Sequence, residues 1–389
     1  MPKDWSSENP YPDLRLSEDV KSQISNLVNA YLKSYLRKYE NFAAVDNRQV
    51  DEQRWKHIKT KDDLHVYEDH YRRESEQGIG PRNLASSQDH VAPPKSDMPV
   101  MLRAGTVLGR LDDLMFGVVN PTLDSMRVRA SYVHGIDANA ILCPIVEPSK
   151  DEPFRSLIVK WLSLDNPFES TNLIKTRDFV YVEATGILHF TNGDRVGYHL
   201  KHSLEFRQTK PRPNIIRAKL SYCGFYRQIH DDVIDVFGTS AMVPGGGIPR
   251  FISVRTATEA LLATTNLLVC GQMKKMSWML QQQLSVGLQS GRDKCCVMCY
   301  KSTSSGFVGK LGKTTCNMCY GSVWYSCKIN WRISFTTLGS KAVHRKIAFC
   351  GTCINRVSTC DAEQAAERPS YELQGLQSLF YRIPQIRTF

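Results

Sequence analysis

Cysteine spacing constrains this chain more than any other feature. Nine of its 12 cysteines lie between residues 295 and 360 (Cys295, Cys296, Cys299, Cys316, Cys319, Cys327, Cys350, Cys353 and Cys360), and six of them form three Cys-x2-Cys pairs. A two-residue spacer makes a tight knuckle that turns both thiolates toward one tetrahedral ion, at about 2.3 Å. The amino terminus, MPKDWSSENPYPD, has no apolar region and no small-residue cleavage site, so no secretory signal is expected. No run of about 18 apolar residues occurs either. The best stretch, Leu261 to Cys270, is interrupted by Thr264, Thr265 and Asn266. The expected setting is cytoplasmic, where cysteines at short fixed spacing are metal ligands rather than disulfides. The pattern predicts structural zinc.

Charge divides the chain in the same region. Of the net +11, residues 290–389 carry +9, from 14 Lys+Arg against 5 Asp+Glu, which leaves +2 for the first 289. A hydrophobic content of 42% over 389 residues suffices for a sizeable core and favours two domains. With 23% charged and 10% aromatic residues, global disorder is excluded. The expectation is a large, near-neutral module followed by a basic, cysteine-rich one suited to anionic partners.

A helix is predicted from Ser17, an N-cap followed by Glu18 and Asp19. Its apolar face is Val20, Ile24, Leu27, Val28, Tyr31, Leu32, Tyr35, Leu36, Tyr39 and Phe42. Residues 72–98 are polar with two consecutive prolines and read as a loop. Strands are predicted at Ser156–Leu162, Asp178–Glu183, Ile187–Phe190, Val196–Phe206, Ile215–Gln228 and Val233–Met242, with a turn at Asn192-Gly193. A long helix should follow, opened by a capping box of Thr256 and Glu259 and faced by Leu262, Val269, Met273, Met276, Leu280 and Leu284. Consecutive strands, then a long helix, make an α+β fold with an antiparallel sheet.

Three short segments in this order carry a resemblance. Val50-Asp51-Glu52-Gln53-Arg54-Trp55-Lys56, continuing to Leu64-His65-Val66-Tyr67, resembles the opening of START-type lipid-transfer domains. Thr176-Arg177-Asp178-Phe179-Val180-Tyr181 is similar to that family's Arg-Asp-Phe strand, and Gly247-Ile248-Pro249 to its turn before the last helix. The resemblance implies a helix-grip fold over residues 50–286: a curved antiparallel sheet gripping a long C-terminal helix, with an apolar tunnel for a lipid or sterol. Residues 17–49 would form an added helix packed on it, after a tail over residues 1–16. Met273, Met276 and Met279 would suit adaptable packing, against a ligand or within an ordinary core.

The order of the cysteine pairs resembles a FYVE-type finger, here spanning residues 290–358 ahead of a tail over 359–389. That family's cross-brace implies one complete site of Cys316, Cys319, Cys350 and Cys353. A second would hold Cys296, Cys299 and Cys327, but its fourth ligand position is Trp324, whose indole has no lone pair to offer. The adjacent Cys295 is a spare thiolate. One or two zinc ions are expected, and each four-thiolate site would carry −2. The family's basic run before the third cysteine corresponds to Gly312-Lys313-Thr314-Thr315, and its Arg-Val pair to Ala348-Phe349. Lys313 alone does not supply the charge-assisted donors that a phosphoinositide needs. The combination of both parts resembles a protein class expanded in oomycetes.

Catalysis is not expected. His230-Asp231-Asp232 are neighbours in an extended segment and point to opposite faces. Pro244-Gly245-Gly246-Gly247 lacks the Lys-Ser/Thr ending of a phosphate loop. A RING-type finger would place a histidine between Cys299 and Cys327, where there is none. The sequence thus points to a non-enzymatic lipid-binding or lipid-transfer protein, with a zinc finger for membrane or protein contact, peripheral on an endosomal membrane. The alternatives are an adaptor with a closed START-like domain and, less favoured, a basic finger that binds nucleic acid, using Trp324, Tyr325 and Trp331 to stack.

Overall fold

The computed structural model describes residues 9–12, 14–69, 99–133, 136–164, 175–286, 295–302, 313–336 and 342–367. The polar segment 72–98 and Tyr371, Leu373, Leu376, Leu379 and Phe380 of the tail, which the sequence offers as a short helix, lie outside the described residues. In chain order the elements are α1 (Glu18–Glu40), β1 (Trp55–Lys61), β2 (Leu64–Asp69), β3 (Val100–Leu108), α2 (Leu111–Val118), α3 (Leu123–Tyr132), β4 (Ile136–Val146), β5 (Ser156–Leu164) and β6 (Arg177–His189). They continue with β7 (Arg195–Ser203), β8 (Ile216–Arg217), β9 (Lys219–His230), β10 (Val233–Val243), α4 (Arg250–Leu262) and α5 (Thr264–Val286). The cysteine-rich part adds β11 (Lys313–Thr315), β12 (Ser322–Trp324), β13 (Ile329–Thr336), β14 (Ala342–Phe349), α6 (Gly351–Thr359) and α7 (Ala362–Glu367). Two compact units result.

Unit one comprises Ser7–Leu111 and Val133–Leu267. Its sheet runs β1-β2-β3-β10-β9-β7-β6-β5-β4 with antiparallel neighbours, and the short β8 lies parallel to β6. Alternation of side chains gives the sheet two different faces. One carries Leu102, Ala104, Val159, Trp161, Val180, Val182, Phe225 and Phe237, and packs against Ile24, Val28 and Tyr39 of α1 and the following Phe42. Tyr39 stacks on Phe225 with centroids 5.2 Å apart, and Phe42 lies 4.8 Å from Phe237. Burying such side chains contributes about 1.5–3 kcal/mol each, which holds α1 to its own unit. Ser17 caps α1 as expected, accepting from the Val20 amide. On the opposite face α4 packs along β1, β2, β3 and β10, so this unit has the sheet and helix of the helix-grip arrangement.

Three local expectations are corrected. Asp178–Glu183 and Ile187–Phe190 are one strand, β6, because Gly186 is no turn residue. It faces Tyr198 across β7, and a Cβ there would lie 2.7 Å from the tyrosine hydroxyl. The last helix begins at Arg250, not Thr256. Thr256 sits inside α4 with its hydroxyl donating to Ile252 O (2.9 Å), and Glu259 pairs with Lys59 (2.6 Å), so no capping box forms. That helix is also not continuous: Ala263 (φ −72°, ψ 7°) separates α4 from α5. Strands β1 to β4 went unforeseen.

Unit two holds Asp112–Tyr132 and the described residues from Leu268 to Glu367. The division thus differs from the expected boundary near residue 290: α2, α3 and most of α5 belong with the cysteine-rich part. Packing gives the reason. Met273, Met276, Met279 and Leu280 share a buried cluster with Val323, Ile333, Phe335, Ile347, Phe349 and Val357. The methionines therefore complete the finger's core, while Val269 of the expected apolar face is exposed. Two buried lysines of α5 add polar ties. Lys274 Nζ donates to Phe116 O in the last turn of α2 and, just past it, to Val119 O (2.8 Å each) and Asn120 Oδ1 (3.0 Å). Lys275 pairs with Asp113 (2.6 Å) and donates to Cys360 O (3.0 Å) at the end of α6.

Candidate functional site

The finger's geometry starts from a short repeat, Cys296-Val297-Met298-Cys299-Tyr300 and Cys316-Asn317-Met318-Cys319-Tyr320. Each copy folds into the same knuckle: the tyrosine amide donates to the first cysteine's carbonyl (2.9 Å), and the tyrosine adopts the left-handed conformation (φ 58° and 59°). Left-handed backbone is unfavourable for a bulky residue and persists only when its surroundings fix it. The third pair is built differently. Cys350 is the N-cap of α6, and its Sγ accepts from the Cys353 amide at 3.4 Å.

Two groups of cysteines result. The Sγ atoms of Cys316, Cys319, Cys350 and Cys353 all lie within 4.8 Å of one another, as do those of Cys296, Cys299 and Cys327. Every one of these thiols is free of disulfide. Thiolates about 2.3 Å from a tetrahedral ion stand about 3.8 Å apart. Cys319 Sγ and Cys350 Sγ are separated by 3.8 Å, so the quartet fits such an ion. Amides point at the sulfurs as well: Cys350 N to Cys316 Sγ and Trp324 N to Cys296 Sγ, both 3.3 Å. In the quartet, hydrogen bonds from Cys319 and Cys353 bring the Cys316 thiol down, while the same bond pushes Cys319 up to about 11. Burial raises the Cys296 thiol, but the amides of Trp324, Cys299 and Met298 outweigh it and bring it to about 7. Both groups can hold a metal ion.

The remaining sequence candidates fall outside these groups. Trp324 turns its indole N–H to Lys301 O (3.3 Å). Cys295 is exposed and its backbone bridges Ser302. Lys313 opens β11 opposite Trp324. His230, Asp231 and Asp232 are exposed around the β9–β10 turn.

A second arrangement, which the sequence reading missed, lies on the sheet face opposite α1. Glu183 is buried with Lys160 on one carboxylate oxygen, and His199 Nε2 2.7 Å and Lys201 Nζ 3.5 Å from the other. On the same face Arg103 donates to the hydroxyls of Tyr222 (3.0 Å) and Tyr226 (3.4 Å), to Leu261 O (3.1 Å) and to Thr264. Burial drives the Tyr222 hydroxyl well above its ordinary range, although Arg103 pulls it the other way. The available signal was a charged residue inside an otherwise apolar strand, as Lys160 in Ile158-Val159-Lys160-Trp161-Leu162.

Among solved structures, the chain is similar to human StAR-related lipid transfer protein 5, with 15% identity and a TM-score of 0.44 over 66% of this chain and 98% of that one. It is also similar to human STARD10 (13%, 0.41, 64% and 84%) and to a STAR-related lipid transfer protein from Xanthomonas axonopodis (16%, 0.36, 55% and 96%). No protein-family model and no curated protein matches the chain. No helix among the described residues is long and apolar enough to cross a membrane.

Proposed function

We propose that this protein binds or transfers a lipid without catalysing a reaction, through the sheet face opposite α1, and that a zinc-held finger brings it to an anionic membrane surface. One observation carries the lipid reading: on the face opposite α1, Lys160, Glu183 and His199 meet as a buried cluster, with Arg103 on the same face. Burying ionisable groups is costly unless they serve one another or a ligand, and here four of them, Lys160, Glu183, His199 and Arg103, are buried. A face that must orient a mostly apolar ligand by a polar group needs such residues among Ile158, Leu162, Val236 and Ile234.

The finger's part rests on its charge. No Asp or Glu occurs between Lys294 and Cys360. Arg332 stands directly opposite Lys346 across β13 and β14, a like-charge pair that is unfavourable unless an anion joins it. Contacting cations contribute about 1 kcal/mol each at an anionic bilayer. For the metal, the chemistry of four cysteine thiolates at tetrahedral spacing suits zinc, which would cross-link the two knuckle and helix segments of the finger.

The test is lipid extraction from the purified full-length chain followed by mass spectrometry. A defined lipid co-purifying in near-stoichiometric amount is expected, and Glu183→Gln should alter its loading. An empty protein across a broad lipid panel would refute the lipid reading and favour an adaptor that binds protein. Sedimentation with phosphatidylserine vesicles against phosphatidylcholine vesicles checks the finger. Steep salt-dependent binding to any nucleic acid, with no preference for anionic vesicles, would replace that part of the reading.

A further inference from the structure

Resting on the zinc reading above, we infer that the Cys296–Cys299–Cys327 site supplies only three protein ligands and takes a small external thiol, as its thiolate, in the fourth coordination position. Elimination carries the first half. The finger's one histidine, His344, has Nδ1 2.9 Å from Ser334 Oγ and its ring against Tyr132, with centroids 6.3 Å apart. Carboxylates are absent from residues 295–360. Cys360 directs its Sγ to Asp361 O (3.6 Å), and its carbonyl receives Lys275 at the end of α6. Cys295 is exposed, outside the group of three. Trp324 fills the position of the missing ligand in the chain but offers the site only its main-chain amide.

Access and charge carry the second half. Cys296 is buried, whereas Cys299 and Cys327 are half-buried and flanked by the exposed Tyr300, Tyr325 and Ser326. A small molecule can therefore reach the metal from that side. A zinc ion with three thiolates carries −1, and its softness favours sulfur over water as a fourth donor. Lys301 and Lys328 adjoin the site and no acidic residue lies between Lys294 and Cys360, so an anionic donor is better compensated here than a neutral one. On binding, the thiol gives up its proton to solvent and the water it replaces leaves; no oxidant or reductant takes part.

Cadmium-113 NMR of the full-length protein, loaded with cadmium in thiol-free buffer, tests this. Two resonances are expected, one at the position of four-sulfur coordination and one upfield of it. Adding 2-mercaptoethanol should move only the second toward the first, saturably, and Cys327→Ser should remove only the second. Cys295→Ser and Asp293→Asn should leave both where they stand. Two four-sulfur resonances before any thiol is added would overturn the inference, and loss of one of them in Cys295→Ser would assign the fourth ligand to Cys295. A single resonance, or a second one indifferent to thiol, would also overturn it while leaving the quartet's metal intact. Absence of both resonances would refute the zinc reading itself.

Discussion

The two cysteine groups begin from the same five-residue knuckle and end as different sites. In the quartet, the Cys316 knuckle meets a helix start at Cys350, and α6 runs from there to a buried anchor on Lys275. In the trio, the Cys296 knuckle meets only the turn holding Cys327, near exposed Tyr300 and Tyr325. An identical local motif thus gives a group of four thiols in one case, with Cys319 exposed, and a group of three in the other. What a knuckle becomes depends on the partner that the fold delivers to it.

The comparison can be broken most severely at the quartet. Cys316→Ser should lose one metal and unfold the finger, because a structural zinc contributes on the order of 10 kcal/mol to such modules. Metal content by mass spectrometry and hydrogen exchange across β13 and β14 check this; a finger that keeps its protection would equate the quartet with the trio. Next in size, Asp113→Ala strands the buried Lys275 and should destabilise unit two by about 3–5 kcal/mol, measured by denaturant unfolding. Metal release from the quartet should quicken, whereas release from the trio should not.

Smaller effects sharpen the contrast. Trp324→Cys restores the ligand that the FYVE-like pattern expects and should convert the trio into a quartet. Its metal affinity should rise roughly tenfold or more, about 1.4 kcal/mol, in a competition titration with a chromogenic chelator. An unchanged affinity would mean that Trp324 is placed where no side chain can reach the ion. Smallest of all, Lys328→Gln should weaken the thiol response of the trio about twofold, as exposed charge pairs do. Raising the salt concentration should reproduce that loss in the unaltered protein.

Some of this was legible in the sequence because the information is local. Ser17 with Glu18 and Asp19 encodes the start of α1, and Val233–Met242 reads directly as β10. The capping box at Thr256 was misread because a Thr-x-x-Glu pattern also occurs inside helices, where the hydroxyl bonds back one turn. β6 was split because a glycine signals a turn in sequence, whereas here it makes room for the Tyr198 ring. The Cys-x-Met-Cys-Tyr repeat is explicit in the sequence and encodes two equivalent knuckles. The buried group around Glu183 was not legible, since it joins three strands whose register only pairing sets.

By itself the sequence determined the chemistry: three thiol pairs at metal-binding spacing, no acid between Lys294 and Cys360, and apolar strands interrupted by charge. Spacing and residue type fix these, and no fold can add a thiol or remove a lysine. Tertiary structure decided the allocation. It joined α5 to the finger through Met276 and Lys275, closed one cysteine group and left the other with three thiols, and gathered Lys160, Glu183 and His199 on one sheet face. Those outcomes depend on contacts between residues far apart in the chain, which become favourable only when the whole unit is packed.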